Sequence, residues 1–178
     1  MKTIRWAFRA MSCALLLVAG TAVAQSWPVQ PVRVVVAYGA GGGSDSLMRA
    51  IAPELGELLG QQIVIDNRPG AGTVLGTQIV ATAKPDGYTI MIADNAFMVN
   101  PFLMAKLPYD SLKNFVPIVS LASDSQVLAV VHPSLPVKSV KDLVALARAR
   151  PGELNYASGG HGTLPHIMGE MMKTAARI

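Results

Sequence analysis

The sequence predicts an α/β fold built on a parallel sheet. Three observations predict it. Short apolar runs alternate with amphipathic stretches between residues 32 and 93, glycine, proline and asparagine punctuate the joints, and a strand–glycine loop–helix unit occurs twice.

Residues 32–37 form an apolar run broken only by Arg33, the pattern of a strand covered on both faces. The loop that follows carries Gly39, Gly41, Gly42 and Gly43, and Ser44 or Asp45 is expected to cap the next helix. Leu47, Ile51, Leu55, Leu58 and Leu59 recur at helical spacing until Gly60. Residues 62–66 read as a second strand, Asn67-Arg68-Pro69-Gly70 as a turn, and residues 74–83 as a second helix. After the turn Lys84-Pro85-Asp86-Gly87 comes a third strand at 89–93. This βαβαβ order calls for parallel pairing through right-handed crossovers.

Residues 94–112 are polar and proline-punctuated. Residues 115–122 and 126–132 read as two strands joined by Ser123-Asp124-Ser125. Ser139 caps a helix running to Arg150, with Asp142 in capping-box position. Pro151-Gly152 ends it, residues 154–157 read as another strand, and Pro165 opens a last helix.

The N-terminus has the three parts of a secretory signal. Lys2, Arg5 and Arg9 are basic, residues 14–19 are the centre of an apolar stretch, and Ala22-Val23-Ala24 is a small-x-small cleavage site. Residues 1–24 are therefore expected to be removed on export, leaving 154 of 178 residues in the mature chain. Without Lys2, Arg5 and Arg9, fifteen basic residues become twelve against eleven acidic ones, and the net charge falls from +4 to +1. No basic stripe remains for nucleic acid. Cys13, the single cysteine, leaves with the signal, so disulfide and thiolate chemistry are not expected.

The glycine loop at 38–45 gathers backbone N–H groups at a positive helix end, a seat for an anion. The second loop, Ser158-Gly159-Gly160-His161-Gly162-Thr163, repeats the arrangement. Two such loops beyond the carboxyl ends of strands can grip one small anion from both sides. The bland reading of each loop is a βα turn that needs positive φ, and that of Ser44 and Asp45 is capping alone. His161 and His166 are five apart, unlike a helical metal pair, and no cysteine or acidic cluster completes a site, so no metal and no cofactor are expected. Arg68 has the chemistry of a carboxylate clamp, but its place in a turn points to solvent.

Five segments stand in one order: Ala40-Gly41-Gly42-Gly43-Ser44-Asp45, Asn67-Arg68-Pro69-Gly70-Ala71-Gly72, Pro85-Asp86-Gly87-Tyr88-Thr89, Leu107-Pro108-Tyr109-Asp110 and Tyr156-Ala157-Ser158-Gly159. Together they resemble the Bug family, the periplasmic receptors of tripartite tricarboxylate transporters. The resemblance implies a two-domain clamshell of the periplasmic-binding-protein type. Such a receptor takes up a small carboxylate and hands it to membrane permease subunits, without catalysis and as a monomer. Family members are longer. The resemblance therefore implies a first domain at 25–123 and an incomplete second domain starting at 124–178, which alone would bind weakly or self-associate. It also implies that backbone amides, small hydroxyls and bridging waters hold the ligand carboxylate. The residues concerned are Tyr38, Ala40, Gly41, Gly42, Gly43, Ser44, Asp45 and Asn95 on one side. On the other are Ser158, Gly159, Gly160, Gly162, Thr163 and His166. The chain departs from the family with Ala37 and Gly39 in place of prolines. It also carries Asp94-Asn95 where small neutral residues are frequent, so an amine-bearing ligand, an amino acid, stands beside the di- and tricarboxylates.

Two other functions fit parts of the pattern. Gly39-x-Gly41-x-x-Ser44 after a strand, with Asp66 ending the next, approximates a dinucleotide fingerprint, although Ser44 replaces the final Gly/Ala. A non-functional fragment of the receptor is the third reading. A hydrolase is not supported, because no Gly-x-Ser-x-Gly elbow occurs.

Overall fold

The computed structural model describes residues 26–122 and 128–178. The expected export segment 1–24, the link Ser123-Asp124-Ser125 and the start of the expected strand at Gln126 lie outside them.

Three strands form one parallel sheet: β1 (Val32–Val36), β2 (Ile63–Asn67) and β3 (Thr89–Ile92), in the order β2-β1-β3. Val32 pairs with Ile63 and Arg33 with Thr89, and the register continues so that Val36 stands between Asn67 and Ile92. β1 is central, which is why it is almost wholly apolar. Its one charge, Arg33, reaches sideways, and its Nε donates to Asp66 Oδ2 on β2 at 2.7 Å.

Residues alternate across a strand, so β1 feeds two cores. Val34 and Val36 pack with Met48 and Ile51 of helix α1 (Gly43–Leu59), backed by Ile63, Ile65, Ile90 and Ile92. Ala37, of opposite parity, meets Gly76 of helix α2 (Val74–Ala81) so closely that a Cβ on Gly76 would lie 2.7 Å from the Ala37 Cβ. Helix α1 ends at Gly60, whose φ of 65° and amide bonds to Glu57 and Gly56 carbonyls close the last turn.

Helix α3 (Asn95–Leu103) follows β3, in a segment whose prolines suggest an irregular path. Asp94 is its N-cap, accepting from the Ala96 amide at 3.0 Å. Phe97 of α3 stacks on Tyr109 and meets Phe115 edge-on at 5.0 Å, which pins the following loop to the helix. Helix α4 (Val140–Ala149) starts where the sequence predicts, with Ser139 Oγ accepting from the Asp142 amide at 3.1 Å. Helix α5 is Leu164–Ala176. Arg148 of α4 donates to the Ala176 carbonyl at 2.6 Å, placing a cation at the negative end of α5.

Three expected strands do not form among the described residues. Residues 115–122, 128–132 and 154–157 have no strand assignment, and the sheet described contains no strand beside them. An alternating apolar pattern makes a strand only where a neighbour takes its backbone groups. Here Val116, Ile118 and Val130 instead stand 88%, 76% and 78% exposed. Helix α1 also begins earlier than expected: Gly42, not Ser44 or Asp45, occupies the cap position.

Candidate functional site

In a sheet ordered β2-β1-β3 the chain leaves β1 toward one edge and leaves β3 after crossing to the other. The connections diverge at the carboxyl ends of β1 and β3, where open α/β sheets keep their ligand crevice. Tyr38 and the glycine loop leave β1 at this point, and Asp94 and Asn95 leave β3 beside it. The sequence-predicted residues of the first group are thus brought to one edge.

The loop is held in shape from below. Asp45 is 1% exposed and folds back from the first turn of α1. Its Oδ2 accepts from the Gly41 amide at 2.8 Å and from Arg49 Nε at 2.9 Å, and its Oδ1 accepts from Asn67 Nδ2 at 3.0 Å. Arg49, then the Gly41 amide and Asn67, hold this carboxyl well below the usual carboxylate range, against the opposing effect of burial. Asn67 Nδ2 also donates to the Tyr38 carbonyl at 3.1 Å, while Asn67 Oδ1 accepts from Arg49 at 3.2 Å. Gly41 takes φ of 83°, the left-handed region that glycine occupies freely.

Asp45 is therefore the internal partner of the loop, and the Gly41 amide is already engaged. The Gly42 amide makes a long 3.4 Å contact to the Gly39 carbonyl. Helix α1 has no side-chain cap, so the amides of Gly43, Ser44 and Asp45 have no bonded partner among the described residues. They are the donors this end of the sheet offers to an anion. The Tyr38 hydroxyl is shielded from water and makes no hydrogen bond of good geometry among the described residues. Burial, and then the nearby Asp94 carboxylate, hold this phenol far above its ordinary range.

The second loop is internally tied. Thr163 Oγ1 donates to the Gly160 carbonyl at 2.7 Å, the Gly160 amide to Ser158 Oγ at 3.3 Å, and the Gly162 amide to His166 Nδ1 at 3.4 Å. The His161 and His166 rings lie 4.5 Å apart. Gly162 and Thr163 are buried, whereas Ser158 and Gly159 are exposed. This loop meets the sheet unit through the turn at Gly72 and through α3, the elements that follow β2 and β3. Arg68, the clamp candidate, instead donates to Asp66 at 2.9 Å. A concavity of about 690 Å3 between α1 and β2 is lined by Arg49, Gly56, Glu57 and Gln62 and by none of the predicted site residues. Among the described residues no three histidine, cysteine or acidic side chains gather as a metal site, and no helix is long and apolar enough to cross a membrane.

The tripartite tricarboxylate transporter family receptor matches over residues 47–178. The chain belongs to this family. Its similarity extends to the protein BugT of Bordetella pertussis, 34% identical over 165 residues that cover 90% of this chain and 50% of that protein. Two solved structures share the fold. One is R. palustris Rpa4515 with adipate, at 36% identity and a TM-score of 0.76, covering 85% of this chain and 51% of that one. The other is MatC from Rhodopseudomonas palustris with bound malate, at 28% identity and a TM-score of 0.72, covering 85% and 52%. The chain spans about half the length of the curated relatives it matches. The family match starts at residue 47, just past the first glycine loop, so that loop stands as a candidate site on its geometry.

Sequence reasoning missed Arg49 and Asn67 as supports of the first loop. Arg49 sits at i+4 from Asp45, a pairing that could have been read directly. Asn67 reads in the sequence as part of a turn motif, and its side-chain role depends on parallel pairing with β1.

Proposed function

We propose that this receptor-family chain serves in extracytoplasmic capture of a small carboxylate for a tripartite transporter, with no catalysis. The observation that carries the reading is the row of unpartnered amides at Gly43, Ser44 and Asp45, at the end of the sheet where α/β folds bind ligands. The ligand carboxylate would rest there, with Tyr38, Ala40 and Asn95 around it. Ser158, Gly159, Gly160, Gly162, Thr163 and His166 would close from the second segment. Dipoles and N–H groups meet the charge rather than a fixed cation, which permits release to the permease. The signal-like residues 1–24 support export to the periplasm, as does likeness to the periplasmic binding protein BugD. Relatives solved with adipate and with malate support a dicarboxylate; Asp94 at the rim keeps an amino acid in view.

The dinucleotide reading loses its ribose-binding acid, because Asp66 is already engaged by Arg33 and Arg68. Saturation-transfer NMR, which detects weak binding, tests the proposal with malate, adipate, citrate, aspartate and NAD. Transfer to at least one carboxylate and none to NAD is expected. Transfer to NAD alone would overturn the reading.

A further inference from the structure

Asn100 is fully buried on α3, and its Nδ2 donates to the Gly72 carbonyl at 2.9 Å and to Thr73 Oγ1 at 3.3 Å. Its Oδ1 faces Gly162 of the second loop: a Cβ on Gly162 would lie 2.8 Å from that oxygen and 3.2 Å from Leu103 Cδ1. From the other side, a Cβ on Gly72 would overlap the His161 carbonyl oxygen. Both glycines have left-handed backbone, φ 60° and 81°. Thr73 and Thr163 are buried at the same joint. Two bare backbones, far apart in the chain, thus approach more closely than any side chain would allow.

We propose that Asn100, with Gly72 and Gly162, is a latch that positions the second glycine loop at the carboxyl edge of the sheet. The inference rests on the receptor reading above, in which that loop closes over the ligand. Asn100 itself is a positioning residue. Its two donor bonds fix the turn at Gly72, and the turn and the amide oxygen together present a surface that only a glycine backbone can match. The latch is sterically tight yet electrostatically incomplete. Asn100 Oδ1 has no hydrogen-bond donor among the described residues, so opening the joint lets water reach an oxygen that closure leaves unsatisfied. A joint of this kind closes without locking, as a loop that admits and releases a ligand must.

Hydrogen–deuterium exchange on the full chain tests it, with Asn100→Ala, Gly162→Ala, Gly72→Ala and the Asn100→Ala/Gly162→Ala pair. Asn100→Ala should speed exchange across residues 158–166 by about tenfold, as expected when buried hydrogen bonds are lost, and leave β1, β2 and β3 unchanged. Gly162→Ala should do the same, with a smaller added effect once Asn100 is alanine, because the clash with Oδ1 is gone. If Asn100→Ala fails to fold, Gly72→Ala and Gly162→Ala, which reach the joint from opposite sides, decide the matter. Unchanged exchange at 158–166, or equal loosening of the three strands, would overturn the latch. Adding malate or adipate should slow exchange at 158–166 in the parent chain and less so in Asn100→Ala. If neither acid changes exchange in any variant while the substitutions act as expected, the carboxylate reading fails and the latch stands.

Discussion

Gly76→Ala is the sharpest test of how α2 sets the start of the first glycine loop. Gly76 lies in a helix, where alanine ordinarily gains about 1 kcal/mol. Here the new Cβ would stand 2.7 Å from the Ala37 Cβ and 2.9 Å from both the Ala37 Cα and the Arg68 carbonyl oxygen. Non-bonded heavy atoms rest at about 3.5–4.0 Å, so α2 and the end of β1 must separate by roughly 1 Å. The obstructing atoms are backbone or Cβ, and no rotamer change can clear them. Overpacking of this kind costs up to about 3 kcal/mol, which leaves a net loss of about 2 kcal/mol after the helix gain. For a chain of this size that is a fall in melting temperature of roughly 4–8 °C, measured by circular dichroism and checked by urea titration at constant slope. Ala37→Gly in the same chain should recover part of the loss, with a coupling of about 1 kcal/mol. An unchanged or raised melting temperature for Gly76→Ala would refute the argument, and so would strictly additive behaviour of the pair.

Three further outcomes follow from the geometry. Asp45 is depressed by Arg49, Gly41 and Asn67, so its contribution is complete well above the ordinary value of 3.8 and is lost as pH falls below that value. Asp45→Asn should flatten the acid limb of a stability–pH curve measured by urea unfolding between neutral and acid pH. Asp66 should leave a residual slope, since burial raises its carboxyl but Arg33 and Arg68 outweigh it. Asn67→Ala frees the Tyr38 carbonyl and should speed amide exchange in residues 38–43 by about tenfold, with α4 and α5 unaffected. Ser139→Ala removes the α4 cap and should lower stability by about 1 kcal/mol in a chemical melt.

The three strands of the sheet were legible because each carries its signal locally, and parallel order follows from the helices between them. Ser139 and Pro165 marked helix starts for the same reason. The strands expected at 115–122, 126–132 and 154–157 do not form over the described residues, because the sequence shows which residues can alternate and not whether a neighbouring strand exists. Helix α3 was obscured by Asn100-Pro101, which reads as a turn; the overlooked signal was Asp94 ahead of an apolar run. At the site, the glycines pointed to the loop, but the role of Asp45 turned on Asn67, twenty-two residues away. Only the pairing of β2 with β1 brings them together.

Because the buried acid of the first loop is matched by Arg49 beside it, that pair carries no net charge, and the helix pole that remains is felt only over about the first turn. A metabolite would feel little pull from afar and would be sorted only on arrival, by fit against three main-chain hydrogens. Capture of that sort depends on collision frequency, and ionic strength should scarcely alter how fast it happens.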